Sequence, residues 1–464
     1  MSVKGYKNHP YIPNSVPEIE NEMLREIGLS SIEELHEEIP SEIILKENMN
    51  IPKAFGSELE LRRHAERLLR CNTPASEVIN FLGAGCYQHY VPSICDEVNG
   101  KGEFLTAYGG ESYNDFGRFQ TLFEFESLMA ELLDMEVVNV PTMDYSQAAA
   151  TAIRMGARIA NRKGVLVPEN IDKEKLLAIR NYCEPVLSIS TVAYDKDTGL
   201  MDLEDLKSKL GEDTAVVYFE NPTYLGMFET QAEKIAELAH QNGSQLVVGV
   251  NPITLGLVEP PVNYGADIVC GDVQPLGIHM NYGGGQSGFM ATMDDPKYVL
   301  EFPSRLFGIC QTSKEGEYAF SDVAYDRTSF GHLRDQAKEY VGTQTALWGI
   351  TAGVYLSTMG PEGMKEVDDT IMRNAQYAAK ELDGFKGISL KFSSPFFDEF
   401  VLDFSATGKT ASEINAELLE YGIFGGKDLS KDFPKLGECA MYCVTEVHTM
   451  EDIDILKFAL SEIL

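Results

Sequence analysis

At 464 residues the chain is too long for one ordinary core and long enough for two or three domains. Hydrophobic residues make up 44%, an ordinary globular share, and 38 Lys and Arg stand against 72 Asp and Glu, a formal charge of −34. A nucleic acid would be repelled by such a surface, so that class of partner is excluded, and a solvated acidic exterior or a basic protein partner is expected.

No run approaches the ~20 apolar residues that cross a bilayer, so no membrane span is expected. Residues 1–13 are polar and lack the apolar centre of a signal peptide, which predicts a cytoplasmic protein. None of the eight cysteines forms a CxxC pair, and several lie in apolar, strand-like runs. Reduced thiols are expected, with no metal site. Cys439 and Cys443 read as positions along one strand.

In chain order, residues 1–75 read as an irregular arm with helices at Glu18 to Ile27 and Ile32 to Glu38. The prolines in His9-Pro10-Tyr11-Ile12-Pro13 favour extended backbone. Such an arm suits wrapping a neighbouring subunit or domain. Residues 76–340 alternate helix and strand. Phe119 to Asp134 carries Leu122, Phe125, Leu128, Met129 and Leu132 on one helical face, and Gln147 to Ala160 is an alanine-rich helix. Val165 to Val167, Val186 to Ile189, Ala215 to Phe219 and Leu246 to Val250 are short β-branched runs. Helices at Leu203 to Leu210 and Gln231 to Gln241 separate some of them. This alternation predicts an α/β domain with a mostly parallel sheet covered on both faces. Residues 341–464 read as a linking helix near Gly342 to Ser357 followed by a smaller C-terminal α/β domain. Its expected strands are Ile388 to Phe392, Glu399 to Asp403 and Met441 to Val444, with helices at Ser412 to Tyr421 and Met450 to Ile463.

Long ordered motifs run through this frame. Phe81-Leu82-Gly83-Ala84-Gly85-Cys86-Tyr87-Gln88-His89-Tyr90-Val91-Pro92 is followed by Phe104 to Tyr108, Val248 to Leu257, Gly265 to Val269, Gln274 to Gly277 and Met359 to Gly363. With them the chain resembles the glycine cleavage system P-protein, in the alpha-subunit branch of its split form. The resemblance covers most of residues 75–365 and much of the arm. It implies fold-type I architecture of the pyridoxal phosphate (PLP)-dependent transferases and an α2β2 assembly in which a homologous beta subunit carries the Schiff-base lysine and the PLP. The implied reaction decarboxylates glycine and passes its aminomethyl group to the lipoyl arm of the H-protein.

Three segments depart from the family pattern: Gly109 to Asp115, Asp144 to Ala148, and Glu339 to Leu347, which contains Thr343. They fall where an active-site mouth would be and leave the substrate open. A PLP site on this fold needs an acid for the pyridine nitrogen, a helix N-terminus for the phosphate and a lysine for the aldehyde. The acid's place at the end of the strand Leu246 to Val250 is taken by Asn251, and Gln274 is nearest the lysine's place. Neither can do the work, because an amide carries no charge and forms no imine. Asp144 at the helix start would repel a phosphate. Asn251 and Gln274 read equally as turn residues before Pro252 and Pro275.

No catalytic group is therefore assigned to this chain, and the pocket or interface candidates are His89, Tyr108, Glu111, Asn221, Thr343, Gly283, Gly284 and Gly285. Tyr108 offers a phenol to a substrate carboxylate, and Glu111 a carboxylate to an amine. His89 reads as a pocket group or a structural histidine. Asn221 heads a strand-end turn on the edge that lines such clefts. Gly283 to Gly285 form a tight loop or approach the partner's cofactor phosphate. Lys338 reads as a helix-face residue and Lys427 as a turn residue. The rival readings are a subunit of a paralogous lyase acting on an N-substituted glycine or another amino acid, a non-catalytic scaffold, and a stand-alone PLP enzyme.

Overall fold

The computed structural model describes residues 13–45, 47, 49–104, 116–304, 306–323, 339, 341 and 344–464. The chain divides into two compact units, Met1–Asn72 and Thr73–Leu464.

The first unit holds the helix Pro17–Glu26, with proline at its start, the 3-10 turn Ile32–His36, and the helix Glu58–Leu69, capped by Ser57. Its apolar side chains find little cover. Among its described residues only Leu24 is buried, while Ile27, Ile43, Leu45, Met49, Ile51 and Leu69 stay largely exposed.

The second unit is built on a seven-stranded sheet in the order Val137–Val138, Gly288–Thr292, Ile268–Asp272, Gln245–Val250, Thr214–Asn221, Gly164–Pro168, Ser188–Val192. Gly288–Thr292 runs against the other six. Successive side chains point to opposite faces. Val216, Tyr218, Val247, Ile268 and Cys270 therefore pack under the helix Tyr145–Ala160. Val217, Phe219, Leu246, Val248 and Val269 meet Phe125 and Met129 of the helix Phe116–Leu133, Ile235 and Ala239 of the helix Ala232–Gln241, and Tyr355. Both faces are covered, so the central strands are continuous apolar runs rather than alternating ones.

The helix Ala346–Leu382 joins this sheet to a second one. It kinks at Gly360 (φ 60°, ψ −179°), a backbone state open to glycine alone, just before Pro361. The second sheet is antiparallel, in the order Ser389–Leu390, Glu399–Asp403, Cys439–Cys443, Lys427–Asp428. The helices Ala411–Leu419 and Met450–Ile463 and the far half of the kinked helix pack on it through Ile414, Leu456, Leu460, Ala375 and Leu382. Cys439 and Cys443 are the first and last residues of one of these strands.

Several expected boundaries shift. The run at Val186 to Ile189 pairs only from Ser188, because Val186 and Leu187 close the preceding helix turn onto the Cys183 carbonyl. Ile388 to Phe392 shortens to Ser389–Leu390. The antiparallel pair Leu306–Gln311 and Tyr318–Val323 and the helix Lys173–Cys183 were not expected from the sequence pattern.

Candidate functional site

A cavity of about 230 Å³ opens where the strands Thr214–Asn221, Gln245–Val250 and Ile268–Asp272 end. In parallel α/β sheets this is the edge at which ligands bind. Beyond these strand ends and the turn residues that follow them, its walls include the segment Ala84 to Tyr87, the start of the helix Tyr145–Ala160, the start of the helix Lys173–Cys183, and Asp398 with Glu399 of the second sheet.

The segment 84–90 is held by side chains from three elements. Glu399 Oε1 accepts the Ala84 N–H at 2.6 Å, Gln274 Oε1 accepts that of Tyr87 at 2.9 Å, and Glu446 Oε1 accepts that of Tyr90 at 2.7 Å. Gln274 is saturated in this role, since its Nε2 also donates to the carbonyls of Tyr87 (2.9 Å) and Ile278 (3.0 Å). Its side chain is buried and faces the loop, and it is Pro275 that lines the cavity.

Asn251 does line the cavity, at the end of its strand. Its Oδ1 caps the following 3-10 turn by accepting the Ile253 N–H at 3.4 Å. The N-terminus of Tyr145–Ala160 is already served by two carboxylates. Asp144 Oδ1 accepts the Gln147 N–H at 2.7 Å, and Asp272 Oδ2 accepts the Tyr145 N–H at 3.1 Å. Burial pushes the Asp272 carboxyl up to about 6, against the N–H groups that Ser287 and Gln274 also give it.

One cation stands among these acids. Lys175, the third residue of its helix, turns inward and puts Nζ 2.7 Å from Glu220 Oε1 and 3.5 Å from the centre of the Tyr145 ring. Tyr218 donates its hydroxyl to the same Glu220 oxygen at 2.7 Å. Gly249 makes room for the arrangement, because a Cβ there would collide with the Tyr145 hydroxyl. Sequence patterning passes over Lys175, since Lys173-Glu174-Lys175 has the look of a solvated helix start. Only the remote Glu220 and Tyr145 explain its burial.

Behind the cavity wall, His89 Nδ1 and Glu446 Oε2 are 2.8 Å apart. Burial opposes the imidazolium, but Glu446 outweighs it and the histidine's pKa rises. Burial likewise opposes the Glu446 charge, and His89 with the Tyr90 N–H brings its pKa down. Burial raises both Asp398 and Glu399, and Asp398 raises Glu399 further.

Of the remaining candidates, Asn221 is buried beside the cavity without lining it. Its Oδ1 accepts the Glu229 N–H at 3.1 Å, and its turn continues into Pro222, Thr223 and Tyr224 on the wall. Gly283 and Gly284 lie exposed on a loop tip next to a fully exposed Tyr282, and Gly285 is buried against the His279 carbonyl. Lys427 donates to the Tyr224 hydroxyl at 2.7 Å. Tyr108, Glu111, Thr343 and Lys338 lie outside the described residues. Among the described residues no group of three or more His, Cys, Asp or Glu is placed to hold a metal ion, and no helix is long and apolar enough to cross a membrane.

A profile of the glycine cleavage system P-protein family matches residues 9–458. The chain belongs to the glycine cleavage system P-protein family. A protein of Staphylothermus marinus called probable glycine dehydrogenase (decarboxylating) subunit 1 is 40% identical over 466 residues, 98% of each chain. Another of the same name from Pyrococcus horikoshii is 37% identical over 98% of this chain and 100% of its own length. The crystal structure of a glycine decarboxylase (P-protein) of the glycine cleavage system, in inhibitor-bound form, superposes with a TM-score of 0.86 at 31% identity, covering 99% of this chain and 100% of that one. The cysteine desulfurase CsdA of Escherichia coli, at 14% identity, shares the fold alone, with a TM-score of 0.62 over 85% of this chain and 97% of its own. The fold of this P-protein family member is that of the fold-type I PLP-dependent transferases: a large domain with a mostly parallel sheet and a smaller C-terminal α/β part.

Proposed function

We propose that this chain is the alpha subunit of a two-subunit glycine decarboxylase of the glycine cleavage system, and that its PLP sits on a homologous beta subunit. Glycine would lose carbon dioxide there, and the aminomethyl group would pass to the lipoyl H-protein. The full-length family match supports the activity. The observation that carries the division of labour is the cleft at the strand ends, whose residues do not fit PLP. Asn251 offers the pyridine nitrogen no charge. Gln274 is committed to the backbone of Tyr87 and Ile278, and its neighbour on the wall is a proline. Two carboxylates already occupy the helix N-terminus that a phosphate would need, so charge repulsion adds to lost hydrogen bonds.

In this reading the chain's own work is to shape and close the partner's pocket. The exposed loop with Tyr282, Gly283 and Gly284 is our candidate for reaching the partner's cofactor phosphate. The uncovered apolar side chains among the described residues of the arm, which spans residues 1–75, are our candidate for covering the partner subunit in an α2β2 assembly. Residues 76–340 and 341–464 would serve as large and small domains, and the complex would be cytoplasmic.

The test is exchange of labelled bicarbonate into the glycine carboxyl, with lipoyl H-protein present. Beta subunit alone should be inactive and should gain exchange when this chain is added. Assembly without exchange on glycine would shift the assignment to another amino-acid substrate. Full activity of the beta subunit alone would overturn the reading.

A further inference from the structure

The helix Ala346–Leu382 packs on both sheets of the second unit, and the kink at Gly360 divides it. Beyond the kink, Asp368 is 0% exposed. Among the described residues it is the one carboxyl group with both oxygens buried and without a hydrogen-bond partner.

Its surroundings come from several elements. The 3-10 turn Pro252–Gly256 lies directly on the helix here. A Cβ at Gly256 would stand 2.6 Å from Asp368 Oδ2 and 2.8 Å from the Met364 carbonyl oxygen, so glycine is what allows the approach. The Gly256 N–H faces the carboxyl and eases its charge without completing a hydrogen bond. The charged groups that face it are acids: Asp398, just before the strand Glu399–Asp403, Asp369 on its own helix, and Glu446, past the strand Cys439–Cys443. Tyr355 faces it from the first half of the helix. Among the described residues no Lys, Arg or His forms an ion pair with it, and His89 is paired with Glu446.

An ionised carboxylate here has neither water nor a counter-charge, which makes it costly. Burial pushes the Asp368 carboxyl up to about 8, and the charges of Asp398, Asp369 and Glu446 act in the same direction. The neutral acid is far less costly in this place. Ionisation needs water, and separating the helix from the turn admits it, with Gly360 as the pivot.

We propose that Asp368 is a proton-operated latch between the second half of the kinked helix and the turn Pro252–Gly256, closed while the carboxyl holds its proton and released when it ionises. The turn begins at Asn251 on the cavity wall, so release reaches the cleft. The latch goes beyond the proposed function and needs no premise about PLP or the partner subunit.

The opened chain ionises near 3.8 and the closed one near 8. The latch is therefore at full strength below 3.8, loses about tenfold in its closing equilibrium per pH unit above that, and is spent above about 8.

Amide hydrogen exchange of the full chain, read by mass spectrometry from about pH 5.5 to about pH 9 and corrected for intrinsic rates, tests it against Asp368→Asn, which fixes the neutral state. Peptides spanning residues 252–257 and 361–372 should lose protection in the unaltered chain relative to D368N by about tenfold per pH unit up to about pH 8, and level off beyond. Peptides from the far sheet edge, over residues 188–192, should show no such difference. No difference, a difference independent of pH, or one of equal size over residues 188–192 would each overturn the proposal. Should D368N fail to fold, Asp368→Ala takes its place, since any uncharged side chain removes the slope.

Discussion

Lys175 and Glu220 form a buried ion pair at the mouth of the sheet, 2.7 Å from Nζ to Oε1, and both side chains are at least nine-tenths shielded from water. The pair is assembled from a helix start and a strand end, and among the described residues it holds the only lysine on the wall of the cleft. Its hydrogen bond to Glu220 and its seat on the Tyr145 ring keep the ammonium occupied.

Removing one partner should expose the cost. Lys175→Met leaves the Glu220 carboxylate buried with only the Tyr218 hydroxyl, and should lower the unfolding free energy by about 3–5 kcal/mol, read from a shift in denaturant midpoint. Lys175→Met combined with Glu220→Gln should recover most of that loss, since no unpaired charge remains.

Installing the missing lysine at Gln274 should not create a cofactor site. The side chain there points to the backbone of Tyr87 and Ile278, so Gln274→Lys strands the Tyr87 N–H and should cost about 1–3 kcal/mol. Added PLP should give the variant no visible band beyond that of free cofactor. A band removed by borohydride reduction would show that the side chain can swing into the cavity.

Gly249 packs against two tyrosines. Its replacement by alanine forces the Tyr145 hydroxyl away, and Tyr218 with it, at a cost of about 1–3 kcal/mol for overpacking. Thermal unfolding should show the loss. The same replacement in a chain with Tyr145→Phe should be markedly milder.

The pair of His89 and Glu446 sets a pH signature. His89 has its pKa raised from 6.5 in the folded chain, so its contribution is complete below 6.5 and disappears as pH rises through the higher folded value. Glu446 has its pKa lowered from 4.5, so its contribution is present above 4.5 and is lost as pH falls through the lower folded value. Glu446→Gln should therefore cost most stability between pH 4.5 and 6.5 and less at alkaline pH, where only the Tyr90 N–H contact is forfeited. Denaturant titrations from pH 4.5 into the alkaline range should show the gap between the two proteins holding up to pH 6.5 and narrowing above it. A gap constant with pH would mean that the pair is not charged.

Much of the architecture is legible in the residues because local signals and burial agree. Glu399 to Asp403 and Met450 to Ile463 form a strand and a helix over the expected spans, the latter begun by Thr449 and Asp452 capping each other's backbone. The antiparallel direction of Gly288–Thr292 is not local information, since its sequence would suit either orientation. The site was legible in part. Asn251 stands on the cavity wall as its strand-end position suggests, but the direction of Gln274 depends on Tyr87, far away in sequence. Lys175 and Tyr145 gain their roles from tertiary neighbours that no periodicity announces.

The proposed division of labour requires that this chain alone does not hold PLP. The full-length protein should be mixed with one equivalent of PLP, reduced with borohydride, and weighed intact by mass spectrometry with peptide mapping. An unmodified chain is the predicted result. A stoichiometric phosphopyridoxyl group on Lys175, or on any other single lysine, would contradict it.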